Sequence, residues 1–131
     1  MIELKLKKGK EKILIQKHPW IFSGAIQEIP VETEAGEEVR LLDSKGQFVA
    51  IGHLGKGSIA IRILSRKDEK IDWSFWEKKL NNALSFRFRV DPKIYSSHNN
   101  CFRWIHGEGD GLPGLIIDYY GGIAVIQCHS M

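Results

Sequence analysis

The side chains with the most chemical reach sit in one short run, His106-Gly107-Glu108-Gly109-Asp110-Gly111-Leu112-Pro113-Gly114, with Asp118 just beyond it. Three carboxylates and an imidazole could hold Mg²⁺ for phosphodiester cleavage, because hard cations take oxygen ligands. Their spacing matches no defined metal motif. Asp and Glu in a glycine loop also accept backbone N–H bonds and pin the turn, which is the stronger reading. Gly107, Glu108, Asp110, Gly111, Pro113, Gly114 and Asp118 are therefore expected to shape a structural loop, with no metal site and no catalytic residue. The glycines are no dinucleotide fingerprint either, since a strand follows them and no helix N-terminus is offered to a pyrophosphate. Gly55-Lys56-Gly57-Ser58 lacks the spacing of a phosphate loop and also precedes a strand. Cys101 and Cys128 share no CxxC spacing and have no activating neighbours; reduced thiols suit the cytoplasm.

Charge placement is more informative. The 131 residues carry a net charge of +3, but residues 1–20 hold six lysines against Glu3 and Glu11, a local +4. Residues 71–131 carry six basic and six acidic side chains and sum to zero. A polyanion should thus meet the N-terminal half, with Lys8, Lys10, Lys12, Lys17 and His18 as candidate phosphate contacts and Lys56 and Arg62 as further ones. At 43% hydrophobic and 27% charged the composition is that of a globular protein. No apolar run approaches the roughly 18 residues of a membrane span, so no membrane partner is expected.

These candidates need elements to position them. Ile2, Leu4 and Leu6 alternate with charged residues as a half-buried strand. A short helix suits 10–17, with Ile13 and Leu14 turned inward, and Pro19 stops it. Trp20 and Phe22 alternate as a second strand, with Trp20 expected in the core. Strands at 39–42, 48–54 and 59–64, joined by tight turns, complete a small mixed β-barrel. A polar boundary at 65–71 precedes a helix that Asp72 can cap, running to about Phe88. Trp73, Trp76, Leu80, Ala83, Leu84 and Phe88 mark its core stripe. A strand at 102–105, the glycine loop, a strand at 115–119 and a hairpin through Gly121-Gly122 follow.

Glu108-Gly109-Asp110-Gly111-Leu112-Pro113-Gly114-Leu115-Ile116-Ile117-Asp118 closely resembles a signature of the S-adenosylmethionine-dependent large-subunit ribosomal RNA cytosine methyltransferases. Lys10-Glu11-Lys12 with His18-Pro19-Trp20-Ile21-Phe22-Ser23-Gly24-Ala25 is similar to the opening of that family's PUA domain, and residues 52–62 resemble its last strands. The resemblance covers nearly the whole chain. It implies an α+β protein: a PUA-like mixed β-barrel over 1–70 that binds RNA, then an incomplete helix-plus-antiparallel-sheet middle domain over 71–131. Nothing resembles the cofactor-binding glycine loop or nucleophilic cysteine of the family's catalytic Rossmann domain. The chain is accordingly expected to be an N-terminal fragment that binds and positions structured, ribosomal RNA. It needs no cofactor itself, while the full-length parent would use S-adenosylmethionine to methylate cytosine at carbon 5. Tyr119 departs from the family, where arginine commonly follows the aspartate. The other reading is a protein-interaction module that uses exposed β edges, and a homodimer is compatible with either.

Overall fold

Alternation sets the inside of the first sheet from its first residues. Strand β1 (Ile2–Lys5) buries Leu4, continues to a fully buried Leu6, and leaves Glu3 and Lys5 in solvent. The computed structural model describes residues 1–12 and 16–129, and the chain divides after Glu69 into two units. In the first unit, β2 (Trp20–Phe22), β3 (Glu38–Leu42), β4 (Phe48–Leu54) and β5 (Ile59–Ser65) join β1 in one sheet of order β1-β3-β4-β5-β2. β1 runs parallel to β3, and the other pairs are antiparallel. The helix expected over 10–17, with Ile13 and Leu14 inward, falls on residues 13–15, outside the described residues.

The mixed sheet expected of a PUA-like fold is present, but it does not close into a barrel. Its two edges meet through a single bridge, Leu6 to Ile26, where Lys7 N–H donates to Ala25 O and Gln27 N–H to Lys5 O, each at 2.8 Å. A 3-10 turn, Ser23–Ala25, bends the chain from β2 to this bridge and prevents a continuous ladder. Inside lie Leu4, Leu6, Ile21, Ile26, Val39, Leu41, Leu54 and Ile61, each stabilising the unit by about 1.5–3 kcal/mol. Trp20 is corrected from its expected place. Ile21 takes the inward position, so Trp20 is half-buried on the opposite face and Phe22 is 44% exposed there.

The second unit begins with α1 (Trp73–Val90), whose N-cap Asp72 accepts a bond from Phe75 N–H. The helix packs on β6 (Cys101–His106) of an antiparallel sheet with β7 (Leu115–Tyr120) and β8 (Ile123–Cys128). Ala83, Ile105, Leu112 and Ile117 form the centre, with Trp76, Leu80, Trp104 and Leu115 against them. Trp104 Nε1 donates to Leu80 O, so the helix and sheet also share a polar contact. The expected helix stripe holds in its middle only: Trp73 is 77% exposed, Phe88 is exposed, and Phe75 is buried instead. Tyr119 packs against Phe102 and Tyr95.

Gly52 is where β4 and β5 come closest. A Cβ there would lie 2.3 Å from Arg62 O and 2.7 Å from Ile61 Cγ2. The carbonyl belongs to the β5 ladder and cannot retreat without breaking strand pairing. Gly52→Ala is expected to destabilise the first unit by about 1–3 kcal/mol. Gly24→Ala, which meets nothing within 4 Å, should change stability by less than about 0.5 kcal/mol. Urea titration followed by two-dimensional NMR, which reads the two units separately, checks both.

Candidate nucleic-acid interface

Four side chains line up across the outward face of the first sheet. Glu38 pairs with His53, His53 with Arg62, and Arg62 with Trp20, so β3, β4, β5 and β2 each place one residue in a single row. Directly opposed residues share a face, and the neighbouring Leu54, Ile61 and Ile21 point to the core. Burial pushes the His53 imidazole below its ordinary range, with the Glu38 charge acting against the shift. The Arg62 guanidinium extends over Gly55, where a Cβ would lie 2.6 Å from Nη1.

The row ends in an aromatic group. Trp20 N–H donates to His18 Nδ1 at 3.1 Å. The His18 ring lies edge-on to Trp20 at 5.6 Å and tilted to Phe22 at 6.0 Å. Arg66 Nη2 donates to His18 O at 2.9 Å and holds this turn against β5. Ser23 N–H donates to Ser58 O, which fastens the turn carrying Lys56 to the residue after Phe22. The structure thus brings His18, Lys56 and Arg62 around β2. Lys8 and Lys10 are exposed on the turn after β1, beside the Leu6–Ile26 bridge. Lys12 and Lys17 are exposed too. Within this stretch Glu11 accepts from Ser44 Oγ, which holds its carboxylate below the usual range and keeps it anionic. Arg40 is engaged already, by Asp68, Glu3 and the Phe48 ring.

In the second unit Asp110 in the loop and Asp118 on β7 are bound by arginines. Arg87 grips Asp110 with two bonds of 2.5 and 2.6 Å, and its Nε donates to Arg103 O. His106 N–H donates to the same carboxylate at 2.6 Å. Burial works to raise the Asp110 carboxyl, but Arg87 and the His106 amide outweigh it and hold it below the ordinary range. Arg103 grips Asp118 at 2.8 and 3.1 Å and lowers that carboxyl likewise. Among the described residues no three His, Cys, Asp or Glu side chains gather as a metal site. Arg87 and Arg103 were not singled out by sequence reasoning. Arg87 lies in the last turn of the helix, and its carboxylate partner lies 23 positions away.

Residues 4–66 match the PUA-like domain family. The first unit is a PUA-like domain. The chain is also 38% identical over 128 residues to ribosomal RNA large subunit methyltransferase I of Alteromonas mediterranea, covering 95% of this chain and 31% of that protein. It is 38% identical over 131 residues to the protein of the same name from Erwinia tasmaniensis, covering 98% of this chain and 32% of the relative. The chain therefore spans about a third of the length of these relatives, and its resemblance to the ribosomal RNA methyltransferase family holds over almost all of it. In fold it is similar to a protein assigned as a SAM-dependent methyltransferase from Streptococcus mutans, with a TM-score of 0.79, 18% identity, and coverage of 99% of this chain and 33% of that one. A protein assigned as a methyltransferase and solved with SAH matches at a TM-score of 0.81 and 20% identity, covering 100% of this chain and 33% of that one.

Beside the PUA-like domain, the second unit yields two tests of its loop. Gly111 sits at φ +67°, and a Cβ there would lie 2.7 Å from Lys79 Nζ, which donates to Gly111 O. Gly111→Val is expected to destabilise the second unit by about 1–3 kcal/mol and leave the PUA-like domain folded, as read by thermal unfolding with NMR. Asp110, depressed in the folded state, contributes stability that is present above its unfolded pKa and lost as pH falls below about 4. Asp110→Asn should cost about 1.5–3 kcal/mol at pH 7, and the gap from wild type should close in acid. Urea midpoints measured from pH 7 to pH 3 check the sign.

Proposed function

We propose that the PUA-like domain binds structured RNA, and that in a full-length relative it positions ribosomal RNA for methyl transfer from S-adenosylmethionine to cytosine carbon 5. The carrying observation is the match of residues 4–66 to a PUA-like domain within a chain whose basic excess is confined to its N-terminal half. Names of the relatives support a ribosomal RNA substrate and a methyl donor for the whole protein. The second unit, with seven basic against six acidic side chains and with Asp110 and Asp118 already paired, is proposed to be structural. This chain on its own is proposed to need no cofactor and to act by binding alone.

Phosphate contact is the simplest part of this function. Lys8, Lys10, Lys12 and Lys17 supply cations that each displace condensed counterions when they meet phosphate. Lys56 and Arg62 extend the basic surface around β2. Phosphate contacts carry little sequence information, so they should hold many structured RNAs about equally well.

One observation favours a second reading. β8 is an exposed outer strand with Ile123 at 68% and Ile126 at 61% exposure, and an unpaired edge of this kind can accept a strand from another protein. The two readings part on salt. Replacing Lys8, Lys10, Lys12 and Lys17 with alanine is expected to weaken binding of a structured RNA and to flatten log affinity against log salt by roughly 0.7–0.9 per lost phosphate contact. Fluorescence anisotropy from low to physiological salt checks this. Wild-type affinity and slope in the quadruple variant would move the phosphate contacts to Lys56 and Arg62.

A further inference from the structure

We infer that His18, Trp20 and Phe22, with Arg62 beside them, form a stacking site for one unpaired nucleobase on the outward face of β2. The inference rests on the RNA-binding reading and says which part of an RNA the domain would select. Three observations carry it. The strand turns two aromatic side chains to the same side, because Ile21 between them is fully buried. The three rings are in mutual reach through His18, at 5.6 and 6.0 Å, so they form one apolar surface instead of scattered exposed residues. Cations stand on the neighbouring elements: Arg62 is the cross-strand partner of Trp20, with its guanidinium over Gly55, and Lys56 is on the turn fastened at Ser23.

A large exposed aromatic on a short outer strand gives the fold little, since Phe22 lies outside the core cluster. A nucleobase would offer the exposed Phe22 ring a flat apolar face, and a phosphate on either side for the cations. Bases inside a duplex keep their faces stacked on one another, so only a loop, bulge or strand end can offer one. Aromatic platforms of this type are tolerant of base identity, because every base has a π-face. The site should therefore read unpairedness, and sequence only weakly. A peptide side chain could also cover the rings, but it would bring no phosphates to Arg62 and Lys56. The turn is also held in place before any ligand arrives, by the Trp20 amide on His18 and by Arg66 on the His18 carbonyl.

The test uses the 131-residue chain and two RNA probes of equal charge, a blunt perfect duplex and a hairpin with a single-stranded uridine tail. Wild type should favour the tailed probe. Phe22→Ala should weaken the tailed probe about tenfold and leave the duplex unchanged. Phe22→Leu, which keeps an apolar strand residue but has no aromatic face, should behave alike, and Phe22→Tyr should restore the preference. The salt slope should stay at its wild-type value in all three, because no phosphate contact is removed. RNA binding with no preference for the tail, or equal loss on both probes in the leucine variant, would overturn the stacking site and leave RNA binding standing. Failure of wild type to bind either probe at low salt would overturn both. Binding of an unstructured peptide that Phe22→Leu abolishes, with RNA binding untouched, would reassign the site to a protein partner.

Discussion

A β-strand sends alternate side chains to opposite faces, and in the three residues of β2 the face given to the core belongs to Ile21. The outward surface of the PUA-like domain follows from this choice. A slip of one residue would send Trp20 and Phe22 inward and leave Ile21 in solvent, reversing every side chain of the strand. The alignment is held from both ends. Ile63 N–H donates to Pro19 O just before the strand, and a bulge between Ile21 and Phe22 sets the approach to the Ser23–Ala25 turn. Ile21 has no exposure at all, so the slip would cost most of the 1.5–3 kcal/mol that burying it contributes. The aromatic surface is thus a consequence of an apolar commitment made behind it.

Charge does a different task in each unit. In the second, Arg87 and Arg103 consume Asp110 and Asp118 in two-bonded grips, and the His106 amide adds a further bond to Asp110. Those groups stiffen a glycine-rich connection between β6 and β7 that would otherwise sample many conformations. These pairs hold one another, while Arg103 keeps 45% of its side chain exposed. In the PUA-like domain Arg40 is occupied in the same way, but the lysines of residues 1–20 stand exposed. The contrast explains why six acidic residues in 71–131 need not repel RNA: Asp110 and Asp118 at least are locally neutralised.

Much of this was legible in the sequence. Strict alternation from Ile2 to Leu6 announced β1, Asp72 announced the helix start, and Gly121-Gly122 the β7–β8 hairpin. The wording of 108–118 carried the family resemblance. The errors have physical causes. Trp20 was put inside because large aromatics usually fill cores, but a β-branched residue between two aromatics is the better inward candidate on a three-residue strand. The helix stripe overran at both ends because a three-stranded sheet covers only the middle of an 18-residue helix, leaving Trp73 and Phe88 beyond it. The Arg87–Asp110 pair leaves no sequence signal, because Asp110 is brought near the last helical turn only by tertiary folding. The barrel is expected to close from the sequence for a similar reason: whether two edges form a ladder or one bridge depends on the bend at 23–25, which leaves no periodic trace.

Net charge alone cannot choose the RNA face. At physiological ionic strength the screening length is about 8 Å, so a +4 excess spread over twenty residues acts as separate local contacts rather than one field. Such contacts weaken steeply with salt and position RNA without reading it. Selectivity needs a group whose attraction survives salt and depends on the state of the base, and a ring surface does both. Arg62 is the cross-strand partner of Trp20, with its guanidinium over Gly55 on the β4 side of β5. A base on the rings would therefore add an attraction that persists at salt concentrations where isolated lysines contribute little. The outward face of β2 owes its suitability to this adjacency of stacking surface and cation, which the strand register imposes and the overall charge does not.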